Sequence, residues 1–471
     1  MRRREYVAAS VGALSLFVVL ALASCAGPSA VDAADAGRTK RYEPGVPNFD
    51  MEAVVRLQEA GPVIDVFTSI PHVSLAFVRS GNRYVSEYEI VTRISDRETR
   101  DLVEENSQTI TFSVSDFDST RGFEPHSRAT RLQAPAGSYV AEVMLTDLNT
   151  GEMARRRQSI RVPTSGGDVA FVSRILMEAR SDDGVYRPLI SLHLPASLDS
   201  LRATVEVSNI AGEGDLEIQM RLLRFRSDTT VASPPYWLVP SRASLAYQGA
   251  EFDRADTLQV SRRTLDAGIE NAEVVFFMPT LSSGIYLIEI EGRDEAGIHI
   301  LQQRRLLSVK NASFPEIVVL DDLVDALAYI AFEREIDEIR EAASPIDMKR
   351  RLDAFWGSLV PNRNAASNLI KLYYSRIEEA NLFFSGYKEG WKTDRGMIYT
   401  ILGPPHFIDA RIETEVWHYS YSDRDPVNTY VFERVRSQDE DPFENYILQR
   451  RPYYQHEWAR AIDRWRDGEV L

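Results

Sequence analysis

Thr393, Asp394 and Arg395 set a hydroxyl, a carboxylate and a guanidinium side by side, and His406 and Glu415 follow close behind. Such a group could form a small polar site, with Asp394 as base or ligand and Arg395 as an anion clamp. The same residues have an architectural reading. In it Thr393 and Asp394 bond loop backbone N–H groups, and Arg395 pairs with a carboxylate such as Glu415. Asp and Thr in loops commonly bond nearby backbone, so the architectural reading is the favoured one.

Other chemistries lack their residues. The seven His are scattered, with no His-Glu-x-x-His, and there is a single Cys, so a protein-built zinc site lacks ligands. No metal or cofactor is expected. There is no Gly-x-Ser-x-Gly elbow and no phosphate-cradling Gly loop. Paired carboxylates of the glycosidase type stay open, because acidic residues abound and their separation in space is not legible in a sequence. Trp417, Tyr419 and Tyr421 share one face of an expected strand, with Trp391 and Tyr399 near them. This row reads either as a stacking platform for sugar or peptide or, preferably, as sheet core beneath helices. Arg450-Arg451-Pro452-Tyr453-Tyr454, with Arg434 and Arg436 upstream, makes a local basic patch: a solvated turn, or a dock for an acidic segment.

The elements that must position these residues meet at Gly390-Trp391-Lys392-Thr393-Asp394-Arg395-Gly396. Before this stretch Leu369, Leu372, Tyr373, Ile377, Ala380, Phe383 and Phe384 recur at three- and four-residue steps, which predicts a helix over 364–388 with one apolar stripe. After it, alternation in Met397 to Leu402 predicts a strand, stopped by Gly403-Pro404-Pro405. Gly390 is expected to end the helix in the left-handed conformation, with Trp391 folding back over the cap.

This string resembles the GWxTD-domain family, a bacterial group named for the Gly-Trp-x-Thr-Asp motif. The resemblance extends to Phe355-Trp356, Ala380-Asn381-Leu382-Phe383 and Glu415-Val416-Trp417-His418-Tyr419. It implies a C-terminal domain on a secreted or lipid-anchored bacterial protein, and it supplies no catalytic residues. Gly390, Trp391, Thr393, Asp394, Arg395 and Gly396 are therefore the family motif and a candidate binding corner.

At the other end, Arg2, Arg3 and Arg4 precede the apolar run from Val7 to Ala23, which closes as Leu22-Ala23-Ser24-Cys25. A basic stretch, an apolar stretch and small residues at the cut describe a secretory signal over residues 1–24. Leu22, Ala23, Ser24 and Cys25 resemble the lipobox of bacterial lipoproteins, which implies acylation of Cys25. Several acyl chains, at about 0.8 kcal/mol per methylene, would hold the protein to a membrane durably. Residues 26–50, rich in Ala, Gly, Pro and Asp, read as a flexible tether. No Asp follows Cys25; by that resemblance the expected location is the outer membrane, facing the periplasm rather than the cell exterior.

The full chain of 471 residues carries a formal charge of -16. An acidic body argues against sequence-independent nucleic-acid binding. The residues beyond the tether are too many for one hydrophobic core and suit about three domains.

From Val63 to Val162 alternation prevails, with Tyr84, Tyr88, Ile90 and Ile94 on one face, Glu87, Glu89 and Arg93 on the other, and a turn at Ser80-Gly81-Asn82. A second region of this kind runs from Val169 to Val309, with Ser233 to Asp256 read largely as long loop. Two hairpins match between the regions. Gly137-Ser138-Tyr139 leads to Asp147 and back to Val162, and Gly284-Ile285-Tyr286 leads to Asp294 and back to Val309, with the same spacings. The matching hairpins resemble the closing strands of immunoglobulin-like sandwiches and point to duplication. Ser165-Gly166-Gly167 is the expected hinge. Beyond Pro315, helices over 321–342, 346–359 and 364–388, strands near 416–421, 429–433 and 446–449, and a last helix over 454–466 predict an α+β domain.

The expected architecture is thus two antiparallel, immunoglobulin-like β-sandwich domains (51–164 and 168–310) followed by an α+β domain (315–471). The expected role is that of a lipid-anchored envelope binding or scaffold module presenting its C-terminal domain to a protein or glycan. The alternatives are an envelope hydrolase around Asp394, His406 and Glu415, and a structural assembly factor working through the sandwiches.

Overall fold

The computed structural model describes residues 42–58, 61–164, 170–209, 214–238, 249–360, 362–421, 425–435 and 442–470. Leu22, Ala23, Ser24, Cys25, the Ser165-Gly166-Gly167 hinge and Arg436 lie outside the described residues. The chain is mostly β-sheet, with several antiparallel sheets and a helical C-terminal part.

Alternation builds the first β unit. A three-stranded sheet (50–56, 63–71, 125–133) and a five-stranded sheet (78–80, 83–96, 102–114, 137–147, 153–162) enclose one core. Ile64 and Val66 enter it from one side, and Tyr88, Ile90, Val143 and Leu145 from the other. Gly81, at φ +62°, makes the expected tight turn. The second unit packs two five-stranded sheets (171–172, 176–180, 186–189, 201–208, 272–277 and 193–195, 216–227, 250–265, 284–293, 299–310) around Val205, Ile218, Leu222, Phe276 and Ile288.

The two matched hairpins coincide in register, Gly137 opposite Val162 and Gly284 opposite Val309. Tyr139 donates its hydroxyl to Pro135 O at 2.9 Å, and Tyr286 donates to Ser282 O at 2.7 Å. Both tyrosines thus reach four residues back. Asp147 accepts the Asn149 N–H, Asp294 accepts the Ile298 N–H, and Gly151 and Gly297 take positive φ in the turns.

The C-terminal part has helices α1 (Leu320–Asp325), α2 (Glu333–Arg340), α3 (Pro345–Leu359), α4 (Arg363–Phe384), α5 (Asp394–Leu402) and α6 (Tyr454–Arg466). An antiparallel meander of strands 407–410, 414–418, 429–435 and 445–448 joins them.

Four expectations change here. The helix over 321–342 is two helices with a 3-10 turn and a break between them, and α4 stops at Phe384. Residues 397–402 are helix, not strand. Thr393 caps α5 by accepting the Gly396 N–H, and Met397, Ile398, Tyr399, Thr400 and Ile401 are all buried. A short segment buried on every side carries no period to tell helix from strand. Gly390 has no left-handed φ: it opens a short 3-10 turn over 390–392.

The three parts are one body rather than beads on a string. Glu52, fully buried, pairs with Arg305 at 2.9 Å and Arg174 at 3.2 Å, joining the β units. The second unit meets the C-terminal part through Phe225, Ile285, Tyr387 and Phe443, and through Lys310 Nζ donating to Gly386 O at 2.8 Å. Arg121 of the first unit reaches Glu379 on α4 at 3.5 Å. Residues 42–50, expected to belong to a flexible tether, are held in the folded body instead, with Tyr42 inside the C-terminal core; the rest of the expected tether, 26–41, lies outside the described residues.

Candidate functional site

The motif corner is built where α4 hands over to α5. Ser385 Oγ accepts the Gly390 N–H at 2.8 Å, and Asn381 Oδ1 accepts that of Trp391 at 3.4 Å. Gly390 lies so close to α4 that a Cβ there would meet the Ala380 backbone. Trp391, 2 % exposed, stands edge-on to Tyr329, whose hydroxyl donates to Trp391 O at 2.7 Å. Thr393 donates to Gly390 O at 2.7 Å while it caps α5. Gly396 approaches the Gly390 carbonyl, again with no room for a Cβ.

Asp394 is buried and held on both oxygens. Oδ2 accepts the Leu448 N–H at 2.8 Å and Arg450 Nη1 at 3.0 Å, and Oδ1 accepts Arg450 Nη2 at 2.6 Å. Arg450 Nη2 also donates to Ser233 O at 3.0 Å. That carbonyl belongs to the loop 228–238 of the second β unit, whose Val231, Ala232 and Tyr236 pack into the C-terminal core. The forked pairing is the geometry in which Arg–carboxylate bonds are strongest. Arg450 is therefore not part of a surface basic patch, although Arg451 beside it stays exposed.

Arg395 faces a separate charge cluster. Its Nη1 is 3.4 Å from Glu415 Oε2 and 3.6 Å from Glu444 Oε2, and its guanidinium lies 4.2 Å from the Tyr446 ring centre. Burial works against the Arg395 charge, and the two carboxylates outweigh it, holding the guanidinium protonated above its ordinary value. Glu415 is fully buried and also accepts Trp417 Nε1–H at 3.2 Å. Beside Arg395 a cavity of about 50 Å³, edged by Asp50, His193, Phe443 and Glu444, has space for a water or two.

His406 does not join them. It sits beyond the far end of α5, exposed, its ring stacked on that of Tyr421 at 4.4 Å. A nine-residue helix spans about 13 Å, so Asp394 and His406 belong to different regions of the domain. Of the aromatic row, Trp417 is core, Tyr419 is half-buried with its hydroxyl donating to Gly403 O, and Tyr421 is 88 % exposed. The exposed aromatics here are His406, Tyr421 and Phe407, the last stacked at 4.2 Å on His418.

Sequence reasoning missed the Asp394–Arg450 fork, Tyr329, Glu444 and Tyr42. Partners 56 residues apart leave no local period. Among the described residues no three His, Cys, Asp or Glu side chains gather as metal ligands, and no helix is long and apolar enough to cross a membrane.

Residues 284–467 match the family model of the GWxTD domain. No curated protein matches the chain. Among solved structures, red sea bream transglutaminase is 9 % identical over 56 % of this chain and 31 % of its own, with a TM-score of 0.18. A calcium-binding mutant of Bacteroides uniformis beta-glucuronidase 2 is 13 % identical over 52 % of this chain and 26 % of its own, with a TM-score of 0.20. The chain spans less than a third of the length of either.

Proposed function

We infer that this chain, which carries a GWxTD domain over residues 284–467, is a binding or scaffold protein of the bacterial cell envelope. In this reading Cys25 is acylated and anchors the protein to the outer membrane, facing the periplasm, and the two β units are immunoglobulin-like sandwiches. The partner is an envelope protein or a glycan. The observation that carries the reading is the state of the motif corner: Asp394 and Arg395 are buried and paired with Arg450, Glu415 and Glu444. A base or an anion clamp needs a side chain free to meet its substrate. The corner instead joins the GWxTD domain to loop 228–238, and the surfaces left for a partner lie elsewhere.

The test is a cross-linking pull-down from intact envelopes with wild type, Asp394→Asn, and a Phe407→Ala/Tyr421→Ala double variant, each checked for folding. Capture lost only in the surface variant supports the reading. Capture lost in a folded Asp394→Asn variant returns the site to the corner. The anchor is tested separately by fractionating Cys25→Ala, which is expected as unprocessed precursor or soluble protein.

A further inference from the structure

The segment Tyr42-Glu43-Pro44-Gly45-Val46-Pro47-Asn48-Phe49 has neither helix nor strand, yet both its ends are buried. Tyr42 fills a slot in the GWxTD domain walled by Phe383, Phe384, Tyr399 and Trp417, with ring centres 4.8 to 5.9 Å away. Tyr399, on the wall of the slot, donates its hydroxyl to Glu379 Oε2 at 2.7 Å. Phe49, fully buried, enters the core of the first β unit. There Arg156 donates to Phe49 O and to Asn48 Oδ1 and lies 5.1 Å from the ring centre. Between the anchors Glu43 and Gly45 are exposed. Among the described residues, the one backbone-to-backbone hydrogen bond of this segment is internal, from Val46 N–H to Glu43 O.

This is how a short linear peptide docks on a receptor: aromatic anchors in pockets, prolines limiting the freedom lost, and little backbone pairing. The sheets are knit by ladders, whereas this segment is held by side chains at its ends. We propose that residues 42–49 are a releasable strap, and that the slot under Tyr42 is a receptor for an extended, proline-containing peptide presenting a tyrosine. The strap fills the slot in cis because tethering sets its effective concentration near the millimolar range. The proposal stands on geometry alone, whether or not Cys25 is acylated and whatever the envelope partner is.

The probe is a synthetic peptide covering residues 40–50, labelled at its C-terminus, titrated into the full chain. The Tyr42→Ala chain is expected to bind it at least tenfold more tightly than wild type does, and a peptide with Ala in place of Tyr42 is expected not to bind. Equal binding to both chains, or none to a folded Tyr42→Ala chain, overturns the proposal. If Tyr42→Ala does not fold, hydrogen exchange on wild type decides. Amides of 46–49, 380–384 and 415–418 should exchange together, well before strand 137–147. Exchange of these segments only in step with that strand, by global unfolding, overturns the strap.

Discussion

Gly390 lies against Ala380 with no room for a side chain: a Cβ on the glycine would stand 1.8 Å from the Ala380 carbonyl oxygen. The glycine of the motif is thus selected by contact between α4 and the following turn, not by backbone conformation. Gly396 repeats the situation against the Gly390 carbonyl at 1.9 Å.

Gly390→Ala and Gly396→Ala should each cost at least about 3 kcal/mol, because backbone rather than a flexible side chain must give way. Gly357, exposed within α3 with nothing near its missing Cβ, is the control. Gly357→Ala should stabilise by about 0.5–1 kcal/mol. Urea midpoints of the three variants check this.

Asp394→Ala should cost about 3–5 kcal/mol, since it strands the Arg450 charge in a buried site. Adding Arg450→Ala should recover part of the loss. A double-mutant cycle with near-additive losses would show that the fork does not couple them.

Tyr42→Ala should cost about 3–5 kcal/mol and Tyr42→Phe about 1 kcal/mol, the first emptying the slot and the second removing only a hydroxyl. Near-UV circular dichroism and chemical denaturation of the full chain are the measurements.

Half-buried Glu378 and buried Lys310 give stability opposite slopes on either side of neutrality. Burial raises the Glu378 carboxyl from 4.5 to about 7, against the Ile317 N–H that it accepts. Between those values the folded chain holds a proton the unfolded chain releases, so stability falls as pH rises. Burial lowers Lys310 from 10.5 to about 7, and between those values the unfolded chain holds the extra proton, so stability rises with pH. Glu378→Gln should flatten the lower slope and Lys310→Met the upper, each by about 1–3 kcal/mol across its window. Denaturation midpoints from pH 4.5 to 10 would show an unchanged profile if neither group titrates this way.

Legibility followed the range of the interaction that decides each feature. Strand alternation at Tyr88, Ile90 and Ile94 and the last helix at Tyr454–Arg466 are local patterns, and both were readable. So was the tandem hairpin, because its Gly, Tyr, Asp and Val recur at fixed steps. The segment 397–402 was misread because burial on all sides erased its period. Arg450 looked like a surface charge because its partner lies 56 residues earlier. Tyr42 gave no signal at all, standing in a run of Pro and Gly.

Tyr42 is the first of the described residues, and Trp417, the ring that completes its slot, is made long after it. During synthesis or passage through a pore, N-terminus first, the segment has nowhere to dock until some 375 residues have followed it. Contacts this distant in sequence close late and slowly. Tyr42 therefore fastens to elements made long after it, and a truncated copy lacking Trp417 would carry an aromatic hook with no completed eye to receive it.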